Sequence, residues 1–169
     1  GISCNLKILR DVKLIAILRD PVDRAFSNYK RYHAAGIENR TFEEAITAEV
    51  EKGVASLPQG QHYLKLGLYF SQLSVFLKHF DRSQFLIADY ESYNNDNNNC
   101  LCKIYTFLGV EEFHQTKLDR LNTSEKHYGS NKPQPTLSDT ERSICIDFFR
   151  EDIVKLQTIV NFDVLKWLR

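Results

Sequence analysis

An unbroken apolar run from Leu14 to Leu18 is the first strong feature of the hydrophobic pattern. Such a run predicts a strand that is covered on both faces of a parallel sheet. Asp20 can then cap a helix, and Pro21 suits the first helical turn, where no amide proton is needed. Apolar positions recur at helical spacing over 22–35, so this part of the chain predicts a strand, a tight turn and an amphipathic helix.

The middle of the chain predicts two more helices and a second strand. Thr41 to Glu44 form a capping box, which predicts a short helix to about Glu51. An apolar stripe predicts a longer helix over 62–80. The short apolar run over 85–88 predicts a second buried strand.

The last third of the pattern is more polar. The Asn-rich stretch 94–99 predicts a solvated loop before a helix that ends at Leu108 and Gly109. Residues 110–137 are weakly periodic and predict a long loop, which in a compact domain is usually functional or mobile. The remaining predicted elements are a capping-box helix from Ser138 to about Arg150, a final helix from Glu151 or Asp152 to about Val160, and a tail docked by Trp167.

Two strands that alternate with helices predict an α/β layered core. A length of 169 residues fits one domain, so we expect residues 1–169 to form a single domain. The two strands alone do not complete a sheet. We therefore expect part of the sheet to lie outside this chain.

The balance of positive and negative residues argues against nucleic acid and membrane surfaces as partners. Lys and Arg number 22, as do Asp and Glu, so no global field attracts nucleic acid or a membrane surface. No apolar run approaches membrane-spanning length, and we expect no transmembrane segment in this chain. A local basic region remains, formed by Arg19, Arg24, Lys30 and Arg31.

The cysteines do not predict a metal site. None of the four has a partner at zinc-ligand spacing, and residues two apart on a helix point to different faces. We expect free or buried thiols at Cys4, Cys100, Cys102 and Cys145.

The turn after the first strand predicts an anion site. The start of a helix offers unpaired N–H groups and a partial positive charge. Arg19 stands at the strand's end and Ser27 follows two helical turns later, so a guanidinium and a hydroxyl can reach one phosphate. The alternative is that Arg19 forms an ion pair with Asp20, Asp23 or Glu91, and that Ser27 is merely exposed.

The segment L-R-D-P-V-x-R-A-x-S-x-Y over 18–29 closely resembles the 3′-phosphate-binding segment of sulfotransferases that use 3′-phosphoadenosine 5′-phosphosulfate (PAPS). The stretches 67–73, 84–87 and 107–110 are also similar to that family. The resemblance implies a P-loop-kinase-like parallel sheet flanked by helices. It further implies that Arg19 and Ser27 hold the 3′-phosphate.

Other site residues follow from the same resemblance. Tyr69 is either a core residue or a contact of the nucleotide. Asn122, Ser124 and Lys126 are similar in position to a late loop that closes over the 3′-phosphate end of the nucleotide in related sulfotransferases. The Lys-Gly-Arg pattern of the heparan-type branch is not present, and a solvated surface loop is the alternative.

Members of the family carry a 5′-phosphosulfate loop and a catalytic Glu or His base upstream of the 3′-phosphate segment. Residues 1–18 contain neither feature. We therefore expect a domain that is incomplete at its N-terminus. We also expect the catalytic residues to lie upstream of residue 1, and this fragment alone to be inactive.

The resemblance implies a sulfotransferase that moves a sulfuryl group from PAPS to the hydroxyl or amine of a carbohydrate or small molecule, without a metal. A kinase of similar fold and a noncatalytic interaction module are the alternatives, although no G-x-x-x-x-G-K-[ST] motif occurs in the chain. We expect a cytoplasmic location, or the Golgi lumen if the native chain has an N-terminal membrane anchor. The identity of the acceptor and the oligomeric state stay open.

Overall fold

The two predicted strands are present and pair in parallel. The structure is a computed structural model that describes residues 11–52, 58, 60–112 and 134–169. Strand β1 spans Leu14–Leu18 and strand β2 spans Phe85–Asp89. Leu14 lies beside Phe85 and Leu18 beside Asp89, so both strands end at the same edge of the sheet.

One face of β1 is less covered than the sequence predicts. Successive side chains of a strand point to opposite faces. Leu18 is buried, whereas Ile15 and Ile17 on the other face are 39% and 44% exposed. The prediction of a strand covered on both faces is therefore wrong for this face. An apolar run shows that a strand can be buried, but the elements packed against each face decide whether it is.

Six α-helices accompany the strands in the described part of the chain. Their bounds are α1 Pro21–Ala34, α2 Phe42–Lys52, α3 Tyr69–Leu77, α4 Tyr90–Asn95, α5 Asn97–Leu108 and α6 Asp139–Leu156. Short 3-10 helices lie at Lys65–Gly67, Arg82–Gln84 and Leu165–Leu168. Helices thus flank a parallel sheet, as the predicted α/β class requires.

The residues group into two compact units. The first contains 1–19 and 70–118, and the second contains 20–69 and 119–169. In the first unit, α4 and α5 pack against β2. In the second unit, α1 contacts the Lys65–Gly67 helix and α6. The single-domain assignment stays a prediction.

The predicted helix over 62–80 is broken. Both carboxylate oxygens of Glu49 accept bonds from backbone amides, one from Leu64 and one from Lys65, each at 2.8 Å. These bonds begin the Lys65–Gly67 3-10 helix instead of continuing an α-helix. Leu68 then leaves helical geometry with φ −77° and ψ 73°, and α3 begins at the next residue. Of the predicted apolar stripe, Leu64 and Leu73 are buried, whereas Phe76 is 41% exposed. The stripe also did not show this interruption.

The Asn-rich stretch is helical over most of its length, so the loop prediction is wrong. Helix α4 ends within it, and Asp96 then caps α5 by accepting a bond from the Asn99 amide at 3.2 Å. Asp96 thereby serves as a helix start in a run that is otherwise typical of turns. The predicted end of α5 is confirmed, since Gly109 follows Leu108 with a left-handed φ of 73°.

The C-terminal part has one helix where two were predicted. The Ser138 capping box is confirmed, with the Ser138 Oγ accepting from the Glu141 amide at 3.2 Å. Helix α6 then continues through the predicted break because its buried stripe persists at helical spacing. The buried members of this stripe are Cys145, Ile146, Phe149, Asp152, Ile153 and Leu156. The predicted docking of Trp167 is also confirmed, because its side chain is only 2% exposed.

None of the helices in the described ranges combines the length and apolarity that a membrane crossing needs. Most of the predicted loop over 110–137 lies outside the described residues.

Candidate anion-binding site

Helix α1 begins as the sequence predicts. The Asp20 carboxylate accepts bonds from the backbone amides of Val22 at 2.8 Å and Asp23 at 3.3 Å. Pro21 occupies the first turn. This cap fixes the start of a 14-residue helix whose N-terminal end favours negative charge.

Arg142 on α6 contacts this cap, a contact that no local sequence pattern predicts. Its guanidinium donates to the carboxylate of Asp20 at 2.8 Å and to that of Asp23 at 3.1 Å. Burial raises the pKa of the Asp20 carboxyl, the charge of Asp23 raises it further, and Arg142 opposes both effects. Arg142 therefore supplies the positive charge between two carboxylates at the start of α1.

Arg19 lies directly after β1 and is half-buried. Its guanidinium carbon is 5.4 Å from the centre of the Tyr90 ring, a cation–π contact. Tyr90 follows β2 directly and is 38% exposed. The parallel register explains the contact, because the carboxyl ends of both strands meet at one edge. A guanidinium in a cation–π contact keeps N–H donors at its planar edge, the geometry that phosphate oxygens match.

Asp89 supports the same edge of the sheet. It is 8% exposed and caps α4 by accepting a bond from the Glu91 amide at 3.3 Å. Its other carboxylate oxygen accepts from the Ser92 hydroxyl at 3.2 Å. Tyr90 is therefore the first residue of a capped helix, which fixes the position of the ring that Arg19 contacts.

Ser27 is exposed in the second turn of α1. Lys30 and Arg31 follow it by three and four residues, so all three lie on one side of the helix. The Lys30 ammonium lies 5.4 Å from the centre of the Phe26 ring, and Arg31 donates to the Asn28 side chain at 3.3 Å. The Ser27 face of α1 thus carries positive charge at its C-terminal end.

Arg24 is not part of that exposed face. It is half-buried, and its guanidinium donates to the backbone carbonyl of Tyr63. This contact connects α1 to the segment before the Lys65–Gly67 helix. Arg24 therefore serves the packing of the second unit.

The structure places the other predicted residues as follows. Tyr69 is 9% exposed and lies edge-to-face against Trp167 at 6.3 Å, the position that a core residue takes. Its contact with a nucleotide stays a prediction. Asn122, Ser124 and Lys126 lie outside the described residues. Arg19 belongs to the first unit and Ser27 to the second, and each occupies its predicted place on its own element.

A second charged cluster is structural. Arg40 donates two bonds to the buried Glu38 carboxylate, at 2.8 and 2.6 Å, and the Tyr63 hydroxyl donates a third at 3.1 Å. Burial alone would raise the pKa of Glu38, but the bonds from Arg40 and Tyr63 outweigh it and lower that pKa. Burial and the Glu38 charge raise the pKa of Tyr63. These groups hold the loop between α1 and α2 in place.

The cysteines with described surroundings are free thiols, as predicted: Cys100, Cys102 and Cys145. Burial raises the pKa of Cys145 to about 12, so this thiol is no nucleophile at neutral pH. Within the described ranges, no group of three His, Cys, Asp or Glu side chains is placed to hold a metal ion. Cys4 lies outside those ranges.

Comparisons with known proteins agree with the geometry. The model of the sulfotransferase domain family matches residues 5–145. The chain is 26% identical over 171 residues to the bifunctional heparan sulfate N-deacetylase/N-sulfotransferase 1 of Xenopus tropicalis, covering 90% of the chain and 20% of that protein. It is 30% identical over 137 residues to the heparan sulfate glucosamine 3-O-sulfotransferase 3B1 of Mus musculus, covering 73% of the chain and 33% of that protein.

The fold is also that of a solved sulfotransferase. The crystal structure of a sulfotransferase from Alicyclobacillus acidocaldarius superposes with a TM-score of 0.74 at 25% identity, over 93% of this chain and 57% of that one. The chain thus spans a fifth to a third of the two curated relatives and little more than half of the solved structure. The predicted P-loop-like α/β fold is confirmed. With the family model matching most of its length, this chain belongs to the sulfotransferase domain family.

Proposed function

We propose that this chain carries the 3′-phosphate-binding part of a sulfotransferase that transfers the sulfuryl group of PAPS to a carbohydrate. One observation carries the proposal: the order of groups over 18–29, with Arg19 directly after β1, a capped helix start at Asp20 and an exposed Ser27 in the second turn. Family membership supports the same assignment.

The residues of this site bind the donor and do not carry out the transfer. In the reaction, an acceptor oxygen or nitrogen attacks the sulfur, and the bond from sulfur to the 5′-phosphate oxygen breaks. Adenosine 3′,5′-bisphosphate leaves, and the acceptor proton passes to a base. Arg19 would donate a charge-assisted fork to the 3′-phosphate and Ser27 a hydroxyl bond. The base and the groups around the sulfuryl are not assigned to residues of this chain.

The acceptor class follows from the relatives. Two kinds of relative are named for heparan sulfate, one an N-sulfotransferase and the other a glucosamine 3-O-sulfotransferase. We therefore propose that the acceptor is a glucosamine-containing polysaccharide, which is sulfated at an amine or a hydroxyl. A cytoplasmic location, with the Golgi lumen as the alternative, stays a prediction.

The experiment is a transfer assay with the purified full-length protein, radiolabelled PAPS and a panel of acceptors. The panel contains heparan-type polysaccharides with free or acetylated glucosamine amines, together with simple phenols and alcohols. We expect label in a polysaccharide and not in the small acceptors. Label only in small acceptors would contradict the carbohydrate assignment, and no transfer to any acceptor would contradict the activity.

Arg19→Ala measures the role of the site in the same assay. We expect the PAPS concentration needed for half-maximal rate to rise by a factor that corresponds to about 2–4 kcal/mol, the range for loss of a charge-assisted partner. Arg150→Ala is the matched control, because Arg150 forms an exposed pair with Asp147 at 3.0 Å on α6. Equal behaviour of the two variants would contradict phosphate binding by Arg19.

A further inference from the structure

Arg142 bridges two carboxylates at the start of α1. Its side chain is 31% exposed, that of Asp20 is 7% and that of Asp23 is 42%. One terminal guanidinium nitrogen donates to Asp20 and the other donates to Asp23, so one side chain bridges two different carboxylates. The contact joins the first turn of α6 to the first turn of α1.

The two carboxylates lie where the proposed function needs positive potential. Asp23 precedes Ser27 by four residues, which places the two side chains on neighbouring positions of one helix face. A phosphate dianion at the Ser27 hydroxyl would lie about 7 Å from an Asp23 charge. In a water-like dielectric, Coulomb's law gives about a tenfold loss of affinity for a dianion at that distance from one bare carboxylate.

The positive groups on this face sit on the other side of Ser27. Lys30 and Arg31 lie one turn towards the C-terminus of α1, whereas both carboxylates lie towards its N-terminus. Arg142 forms ion pairs with both Asp20 and Asp23.

We propose that Arg142 is a positioning residue for the 3′-phosphate: it neutralises Asp23 and holds Asp20 as the cap, so that the Ser27 face of α1 accepts a dianion. This inference rests on the proposed function, because it presumes that the phosphate binds at Ser27. Arg142 does not itself touch the nucleotide in this proposal. Its effect reaches the ligand through the charge of Asp23.

The test measures binding of adenosine 3′,5′-bisphosphate and of adenosine 5′-monophosphate to the full-length protein by calorimetry. The variants are Arg142→Met, Asp23→Asn and the double variant, with Arg150→Met as the control on the same helix. We expect Arg142→Met to weaken the bisphosphate about tenfold and to leave the monophosphate within about twofold. The double variant should recover most of the lost affinity for the bisphosphate, because the negative charge of Asp23 is no longer present.

A purely structural role for Arg142 gives a different pattern. It would weaken both nucleotides together, and Asp23→Asn would not restore binding to Arg142→Met. Either result would overturn the inference. If Arg142→Met does not fold, Asp23→Asn alone decides. The inference expects bisphosphate binding to tighten about threefold, since one negative charge near Ser27 is removed while Arg142 still pairs with Asp20; unchanged or weaker binding contradicts it.

The proposed function fails in a distinguishable way. If the unaltered protein binds both nucleotides equally, there is no 3′-phosphate site, and the assignment of Arg19 and Ser27 is wrong. If the unaltered protein prefers the bisphosphate and Arg142→Met behaves like Arg150→Met, the site stands and only the role of Arg142 is wrong.

Discussion

Gly67→Ala should destabilise the second unit by crowding at the start of α1. A Cβ atom at this position would lie 2.7 Å from Cε1 and 2.8 Å from Cζ of Phe149, and 3.0 Å from Cβ of Pro21. Carbon atoms prefer separations of about 3.5–4.0 Å. Phe149 is fully buried and Pro21 begins α1, so neither can move without disturbing its own neighbours.

The size of the effect is the difference between two opposing contributions. Overpacking a well-packed core costs about 1–3 kcal/mol. Replacing glycine at a compatible backbone position returns about 0.4–1 kcal/mol through the unfolded state, and Gly67 is not among the glycines with positive φ. The net loss is about 1–2 kcal/mol. For a chain of this length, that lowers Tm by about 2–8 °C.

The assay is urea unfolding, which measures the loss of stability caused by Gly67→Ala alone and by Gly67→Ala in a protein that also carries Phe149→Leu. The smaller leucine should relieve the contact, so the penalty of the alanine should fall below about 0.5 kcal/mol. Gly36→Ala is the matched control, because a Cβ there meets nothing within 4 Å but the backbone has φ +70°. Its penalty should be the same in both backgrounds. An unchanged penalty for Gly67→Ala in the Phe149→Leu background would refute the reasoning.

Two further predictions concern buried carboxylates of the second unit. Glu38→Gln should cost about 1.5–3 kcal/mol at pH 7, the range for hydrogen bonds to a charged group such as Arg40. Because the folded pKa of Glu38 is lowered from 4.5, this stability is present above pH 4.5 and is lost as pH falls through the folded pKa. The free energies of unfolding of Glu38→Gln and of the unaltered protein should therefore converge in acid, and a difference that stays constant with pH would contradict this. Glu49→Gln should cost about 1–3 kcal/mol, because one of the two amides at Leu64 and Lys65 then faces an NH₂ group; a urea midpoint equal to that of the unaltered protein would contradict this.

The elements that the sequence predicted well are those with local signals. Asp20 caps α1 from the position directly before it, and Ser138 and Glu141 complete a capping box within three residues. Such signals lie within one turn of the element that they start, so they can be found without knowledge of the fold.

One feature that the sequence did not predict depends on a distant partner. Glu49 interrupts the expected helix over 62–80 from 15 residues away. Contacts between distant residues were likewise not visible from the sequence at the candidate site. Arg19 and Ser27 were found because they lie in one short segment, whereas Arg142 reaches Asp20 across 122 residues. The contact of Tyr90 with Arg19 depends on strand register, and its local signal was its place two residues after the predicted strand over 85–88.

The central claim is that this chain anchors the 3′-phosphate of a nucleotide, and calorimetry with two nucleotides tests it most directly. The full-length protein should bind adenosine 3′,5′-bisphosphate clearly more tightly than adenosine 5′-monophosphate. Arg19→Ala should weaken the bisphosphate by about 2–4 kcal/mol and Ser27→Ala by about 0.5–1.5 kcal/mol, while both leave the monophosphate unchanged. Equal affinity for the two nucleotides, or bisphosphate binding that survives Arg19→Ala unchanged, would contradict the account.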